Sequence, residues 1–344
     1  MKIIKNIFLF LISFALVLLL SDVFIRFSHL TNVSSTEFYK DIGRGKRKNF
    51  EYVYFNEGFG VGSFNEHRFL GASVPLEKEE HTIRIALLGD SYIEAFHVFE
   101  RDYFGQIAQR ELAKKYPNKK IEILNFGRSG FDVADVYAFH QKMVKKFNPD
   151  YVLYFISNDD LEPKYSDPLR PRTILENDSL KIAMHFSELD VNTYQKTKFL
   201  TQNSTILNML NDGRKKAKEV SVLSILLDKV YVWFTPSSTE EQISKSNEKH
   251  VLDPVIKKII QTVDAKKVII INRDRKELPL EFEQLMVNNR IPYYDLSKPL
   301  DSLEKSGTDP NYWKVTKQKG HWNKTSHRVV GNELVKLIDQ QIIK

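Results

Sequence analysis

Four polar groups stand where catalytic groups are found in α/β proteins. Ser91 ends the segment Gly89-Asp90-Ser91 after an apolar run, Gly130 ends NFGRSG after a second, Asn158 follows a third in ISND, and His321 lies in GHWN. A hydroxyl can attack an acyl carbonyl, and an imidazole with an ordinary pKa of about 6.5 can take and return its proton. A backbone N–H at a glycine and an Asn amide can donate hydrogen bonds to the resulting oxyanion. The four groups therefore predict an acyl-transfer site.

Strands and helices must position these groups. They are predicted from an alternation of apolar runs with helical stretches that begins near His81. Strands are predicted from Ile85 to Leu88, from Ile121, from Tyr151, around Val268 to Asn272 and from Ile291. Helices are predicted from about Asp102 to Lys115, from the N-cap Asp132 to about Lys146, and from about Lys324 to Ile343. This order predicts a three-layer, doubly wound parallel sheet, whose ligands bind at the carboxyl edge of its strands.

The four segments resemble the blocks of the SGNH, or GDSL-type, hydrolase superfamily. GDSY carries the nucleophile block at Ser91, NFGRSG the glycine block at Gly130, ISND the asparagine block at Asn158 and GHWN the histidine block at His321. The resemblance covers roughly residues 81–160 and 266–344. It implies a flavodoxin-like α/β/α fold, esterase, deacetylase or acyltransferase chemistry, and no metal or organic cofactor. Ser91 and His321 would be catalytic, and Ser91, Gly130 and Asn158 would form the oxyanion hole.

The acid of the histidine block is missing from its customary place. The family has Asp two or three residues before the His, whereas this chain has Lys319 and Gln318 there. A backbone carbonyl could fix the tautomer of His321 instead, with the Lys319 cation favouring the neutral ring. Alternatively, an acid from elsewhere, such as Asp309 or Glu94, could approach it. Either arrangement gives a Ser-His dyad or an atypical triad.

The N-terminus predicts a membrane-directed helix. The run from Ile7 to Leu20 is apolar except for Ser13, and the apolar character resumes at Val23. With this extension the segment approaches the roughly 20 residues needed to span a bilayer. No small-x-small cleavage pair follows, which favours an uncleaved signal anchor over residues 1–28. A long downstream domain crosses the membrane largely regardless of its charge, so the body is expected outside the cytoplasm.

The remaining chain is read as a lead-in over 29–80 and a hydrolase-like domain over 81–344, with a helical insertion at about 161–238. Amphipathic pieces in the insertion include Phe199 to Leu210 and Val220 to Phe234. The chain lacks cysteine, which excludes disulfides, thiolate zinc sites and a Cys nucleophile. Its formal charge of +7 comes from dispersed lysines without a nucleic-acid motif, so no nucleic-acid partner is expected.

Together these features predict a serine esterase, deacetylase or O-acyltransferase that acts on acyl esters of a cell-surface glycan or a lipid-like substrate. An anchor followed by a domain with an HWN block is similar to bacterial enzymes that modify surface polysaccharides, so the body is expected in the periplasm or at the cell surface. The alternative is a catalytically degraded binding or assembly protein in cell-envelope polysaccharide modification. Residues 161–238 could also dock a membrane-bound acyl-transfer partner.

Overall fold

The computed structural model describes residues 2–28, 34–165, 167–210, 213 and 252–343. Its helices include α1 (Lys2–Phe27), α2 (Ser91–Glu94), α3 (Phe104–Lys115), α4 (Val133–Lys142), α5 (Glu188–Asn203), α6 (Pro254–Thr262), α7 (Leu280–Asn288), α8 (Ser297–Lys305) and α9 (Lys324–Ile338). Its strands include β1 (Thr36–Tyr39), β2 (Gly43–Lys46), β3 (Phe50–Tyr54), β4 (Gly60–Phe64), β5 (Thr82–Leu88), β6 (Lys120–Asn125), β7 (Tyr151–Ile156), β8 (Arg172–Glu176), β9 (Ser179–Ala183), β10 (Val268–Asn272), β11 (Tyr293–Asp295), β12 (Tyr312–Trp313) and β13 (Gln318–Lys319). The chain divides into two compact units, one of residues 1–34 and 192–250 and the other of 35–191 and 251–344.

The second unit is built on a five-stranded sheet in the order β6-β5-β7-β10-β11. All its neighbouring strands are parallel, and Ala86 of β5 lies opposite Leu124 of β6 and Val152 of β7. Numbered along the chain, this order is 2-1-3-4-5, that of flavodoxin-like doubly wound folds. The predicted fold class is therefore confirmed, and each of the five predicted strands overlaps an observed one.

The central strands are apolar on both faces because helices cover the sheet on each side. Residues that alternate along β5 divide between two cores: Ala86 and Leu88 belong to one, and Ile85 and Leu87 to the other. The first core is completed by apolar residues of α4, α6 and α7, and the second by those of α3, α8 and α9. This packing makes the three layers and fixes the strand ends that carry the polar segments.

From residue 35 onward, the lead-in belongs to the same compact unit as the sheet. It forms two antiparallel hairpins, β1–β2 and β3–β4, and a bridge through Leu70 joins β4 to β6 at the sheet's edge. Phe64 at the end of β4 is almost completely buried and packs on Phe96 just beyond α2. The lead-in is therefore folded against the region where the nucleophile is predicted.

The insertion, which was predicted to be helical, begins with β-strands. Its first part is an antiparallel hairpin, β8–β9, in which Thr173 is fully buried and donates a hydrogen bond to the Ala134 carbonyl of α4. The sequence pattern missed these short strands because they lie outside the parallel sheet. Helix follows, in α5 and at 205–210, with a break at Ser204; the predicted piece Val220 to Phe234 lies outside the described residues.

The first unit contains α1, a 26-residue helix with an 18-residue window of mean hydropathy 2.7 and no acid in its first turn. It is long and apolar enough to cross a membrane. Near its end, Asp22 accepts hydrogen bonds from the Ser204 hydroxyl at 3.0 Å and the Ile206 N–H at 3.1 Å. Asp22 thereby caps the helical stretch at 205–210. The boundaries of anchor, lead-in and hydrolase-like domain remain predictions.

Candidate active site

The first strand end forms a sharp turn between β5 and α2. A β-carbon at Gly89 would stand 2.5 Å from Ile93 Cγ1 and 2.7 Å from the Phe155 carbonyl oxygen, so only glycine fits this turn. Asp90 is the N-cap of α2, and its side chain accepts the N–H two residues on at 3.0 Å. Ser91 is the first residue of the helix and is half-buried. The GDS segment thus presents its hydroxyl at the carboxyl edge of the central strand.

The structure brings Ser91 and His321 together although 230 positions separate them. His321 Nε2 lies 2.7 Å from Ser91 Oγ, which is hydrogen-bond distance. His321 immediately precedes Trp322 and Asn323, and the Asn323 side chain caps α9 by accepting two backbone N–H groups. The backbone carbonyl of His321 accepts the indole N–H of Trp313 at 3.0 Å. The GHWN segment therefore holds the imidazole at the start of the last helix.

The acid that contacts His321 is Glu57, in the turn between β3 and β4. Its Oε1 is hydrogen-bonded to His321 Nδ1, and its Oε2 accepts the His321 backbone N–H at 2.8 Å. A carboxylate can only accept, so Nδ1 carries the ring hydrogen and Nε2 is left to accept the Ser91 proton. Burial raises the pKa of Glu57, but hydrogen bonds from His321 and its charge outweigh burial and hold the pKa below its usual range.

This contact corrects the sequence-based suggestions for the acid. Asp309 forms an ion pair with Lys319 at 2.9 Å, and Glu94 forms one with Lys46 at 2.5 Å, so neither serves His321. The backbone-carbonyl alternative is also wrong, because Nδ1 bonds to a side chain. Lys319 is exposed and engaged with Asp309. The acid in contact with His321 therefore comes from the lead-in and not from the histidine block.

Sequence reasoning missed Glu57 because 264 positions separate it from His321 and no family block covers the lead-in. One signal was present. Gly320 precedes the histidine, and a β-carbon there would stand 1.5 Å from Glu57 Oε2. A glycine beside a catalytic histidine can indicate that another group must approach closely, but the sequence does not name that group.

Gly130 and Asn158 lie at the ends of the two strands that flank β5. Gly130 is an exposed residue in the loop after β6, and Asn158, which is also exposed, lies two residues beyond the end of β7. Asn158 begins a short turn that is closed by a capping box. In this box, the Asp160 carboxylate accepts hydrogen bonds from both the backbone N–H and the hydroxyl of Ser157. Both residues therefore share the carboxyl edge with Ser91, as predicted, one on each side of it. Their role in an oxyanion hole remains a prediction.

A buried arginine links two of these strand ends. Arg273, which follows β10, donates to Asp90 Oδ2 at 2.6 Å and to the Ser157 hydroxyl at 2.9 Å, and lies 3.4 Å from Asp160 Oδ2. Burial raises the pKa of Asp90 to about 6; the Arg273 charge opposes this shift and the Asp160 charge adds to it. The guanidinium thus ties the turn that carries Ser91 to the turn that carries Asn158.

The ring of His321 lies between two aromatic rings. Tyr92 is 4.7 Å away, tilted by 59°, and His97 is 4.9 Å away and nearly parallel at 16°. His97 Nε2 lies 3.1 Å from Nε2 of His327, whose Nδ1 accepts the Phe104 N–H. Burial lowers the pKa of both, that of His327 to about 3, so they stay neutral. His97 and His327 are both buried and form part of the packed interior beside His321.

Glu57, His97 and His321 also have the composition of a metal site, with ligand atoms within 4.8 Å of one another. Imidazole lone pairs lie in the ring plane, and the His97 and His321 planes are stacked nearly parallel. Two such rings do not aim their lone pairs at one point between them. The existing hydrogen bond between Glu57 and His321 also leaves no space for an ion between them. The arrangement therefore fits a proton-transfer triad better than a metal centre.

No model of a protein family matches the sequence, and no curated protein matches it. The chain is similar in structure to a two-domain esterase (CEX) active on acetylated mannans, with 13% identity over 76% of this chain, 50% of that one and a TM-score of 0.38. It therefore spans about half the length of that esterase.

The chain is also similar to the lipase/acylhydrolase from Enterococcus faecalis, with 15% identity and a TM-score of 0.37. The match covers 74% of this chain and 95% of that one. A third similar structure is the acetyl xylan esterase AlAXEase, with 14% identity and a TM-score of 0.39. The match covers 74% of this chain and 100% of that one. The three neighbours are described as esterases or as a lipase/acylhydrolase. Likeness this distant assigns no activity, which must be inferred from the chain's own residues.

Proposed function

We propose that the chain is a serine esterase or O-acyltransferase with Ser91, His321 and Glu57 as its catalytic triad. The observation that carries this proposal is the unbroken hydrogen-bond chain from Ser91 Oγ through both ring nitrogens of His321 to Glu57. A nucleophile bonded to a base that a third group orients is the arrangement that activates a serine.

In the proposed reaction, Ser91 Oγ forms a bond to the acyl carbonyl carbon while its proton moves to His321 Nε2. The carbonyl electrons move to oxygen, and the N–H groups of Ser91 and Gly130 with the Asn158 amide would stabilise this oxyanion. The ester C–O bond then breaks, and the leaving alcohol takes the proton from His321. Glu57 stabilises the transient imidazolium. Water or a sugar hydroxyl then attacks the acyl-enzyme carbonyl carbon while its proton moves to His321 Nε2. The acyl–Oγ bond of Ser91 breaks and Oγ takes that proton back, so water gives hydrolysis and a sugar hydroxyl gives acyl transfer.

An acyl ester of a cell-surface glycan or a lipid-like molecule is the proposed substrate. The proposal joins the four-block resemblance to α1, which would hold the enzyme at a membrane as a single-pass anchor with its body outside the cytoplasm. The degraded-protein alternative rested on the missing acid, and Glu57 supplies an acid to His321. A binding protein has no need of an oriented Ser-His pair, so the enzyme is favoured.

Turnover by the full chain in detergent tests the proposal. Chromogenic acyl esters and acetylated glycans should be deacylated by the wild type and not by Ser91→Ala. A second glycan added as acceptor distinguishes acyl transfer, which leaves the acyl group on the acceptor, from hydrolysis, which releases free acid. No turnover of any ester by folded wild-type protein, or equal turnover by Ser91→Ala, would refute the catalytic assignment. Recovery of the chain in the membrane fraction tests the anchor.

A further inference from the structure

The loop that carries Gly130 is a tight turn with one defined peptide orientation. The Phe131 N–H donates to the Arg128 carbonyl at 3.1 Å, which closes a four-residue turn. Gly130, its third residue, has a φ of +72°, whereas Ser129 is not among the residues with positive φ. These values define a type II turn, which requires positive φ at the third residue. The Ser129–Gly130 peptide is its central unit.

The direction of that central peptide decides where the Gly130 N–H points. Types I and II differ chiefly by a flip of the central peptide, which reverses both its C=O and its N–H. In a trans peptide the two groups point in opposite directions. A group that binds the Ser129 carbonyl therefore fixes the Gly130 N–H on the opposite side.

Arg170 is that group. Its guanidinium donates to the Ser129 carbonyl at 2.9 Å and to the Gly130 carbonyl at 2.6 Å. The same guanidinium is held by Asp135 at 2.9 Å and by Asp167 at 3.0 Å, and its side chain is only 14% exposed. Four contacts around one planar fork require arginine, because a lysine ammonium cannot reproduce the paired geometry.

The backbone N–H of Ser129 is held by a residue of α2. Glu94, three residues after the nucleophile, accepts the Ser129 N–H at 3.2 Å and also the Ser129 hydroxyl. Glu94 is in turn paired with the buried Lys46 at 2.5 Å. The loop is thus held on one side by the helix of Ser91 and on the other by Arg170.

We infer that Arg170, together with Glu94, is a positioning residue that locks the Ser129–Gly130 peptide in the orientation that donates the Gly130 N–H to the oxyanion. Arg170 does not touch the substrate. It acts by preventing the peptide flip that would turn this donor away. The inference rests on the proposed function and assigns a role to the segment that follows the asparagine block.

The test compares Arg170→Gln and Arg170→Lys with Arg172→Gln in the full chain. Arg172 is the matched control, since it lies two residues on and its guanidinium faces Tyr165 at 5.9 Å. The readouts are kcat, KM and the inhibition constant of a trifluoromethyl ketone, whose adduct carries an oxyanion. Both Arg170 variants should lose about 10- to 100-fold in kcat, since loss of a whole oxyanion donor costs about 10²- to 10³-fold. KM should change little, and affinity for the ketone should fall in parallel with kcat/KM.

Arg170→Lys keeps the positive charge beside Asp135 and Asp167. If Arg170→Gln fails to fold, Arg170→Lys alone therefore tests the positioning role. An unchanged kcat in Arg170→Lys, an equal loss in Arg172→Gln, or a loss of kcat without weaker ketone binding would overturn the inference. Ser91→Ala in the same assay separates the two proposals. If turnover depends on Ser91 but not on Arg170, only the positioning role fails; if turnover does not depend on Ser91, both fail.

Discussion

Gly320 and Glu57 are in such close contact that no larger residue fits at position 320. A β-carbon there would stand 1.5 Å from Glu57 Oε2 and 2.6 Å from its Cδ. The same carboxylate oxygen accepts the backbone N–H of His321. The glycine of the histidine block therefore admits the acid that the block itself lacks.

Gly320→Ala should displace the Glu57 carboxylate and so misorient His321. We expect kcat/KM to fall by about 10²-fold or more, as when a triad acid is lost. The double variant Glu57→Ala/Gly320→Ala should lose no more than Glu57→Ala alone, because both changes remove one interaction. Fully additive losses in the double variant would show that Gly320 acts through something else.

Glu57→Gln should preserve the packing but remove the charge that stabilises the imidazolium. The expected loss in kcat is on the order of 10²- to 10⁴-fold. Glu51→Gln is the matched control, since Glu51 is an exposed acid of the preceding strand β3. Steady-state kinetics of the two variants check this prediction, and near-wild-type activity of Glu57→Gln would remove Glu57 from the triad.

Glu57 should also make stability depend on pH. Burial raises the pKa of Glu57, but the hydrogen bonds and charge of His321 lower it by more, so the net pKa lies below the usual range. A depressed folded-state pKa stabilises the fold above the unfolded-state pKa, and this contribution is lost as pH falls through the folded-state pKa. The difference in urea midpoint between wild type and Glu57→Gln should therefore shrink as the pH falls from about 5 to about 3. A difference that grows on acidification would contradict the assigned shift.

Arg273→Met should destabilise the fold strongly, because it leaves Asp90 and Asp160 buried without their cation. Removing one partner of a buried ion pair costs about 3–5 kcal/mol. Protonation relieves the unpaired charge, so the loss should be largest above the Asp90 pKa of about 6 and smaller below it.

Arg275→Met is the control, two residues on, where the guanidinium forms partly exposed pairs with Asp301 and Glu304. It should cost no more than about 1 kcal/mol. Urea unfolding of both variants at about pH 7.5 and pH 5 provides the measurement. Equal, pH-independent losses would show that the Asp90 network contributes no special stability.

The local pattern of the sequence was enough to predict the parallel sheet and the strand ends. Buried parallel strands are apolar on both faces, so Ile85 to Leu88 and Val268 to Asn272 stand out as continuous runs. The strand-end positions of Ser91, Gly130 and Asn158 follow from the strands that precede them, β5, β6 and β7.

Contacts between distant segments could not be predicted in this way. Glu57 lies in a hairpin turn with no catalytic spacing, and Arg170 lies in a stretch where the regular alternation lapses. Their partners are defined by tertiary packing alone. The β8–β9 hairpin was missed for a similar reason, since its short strands have mixed exposure and no place in the main sheet.

Covalent labelling of Ser91 tests the central claim most directly. Full-length protein in detergent is treated with a fluorophosphonate, and the adduct is located by mass spectrometry of the digested chain. We predict one adduct at Ser91, absent in Ser91→Ala and formed much more slowly in His321→Ala and Glu57→Gln, while Glu51→Gln reacts like wild type. Folded wild-type protein that acquires no adduct at Ser91, or that labels equally fast without His321, would contradict the proposed catalytic triad.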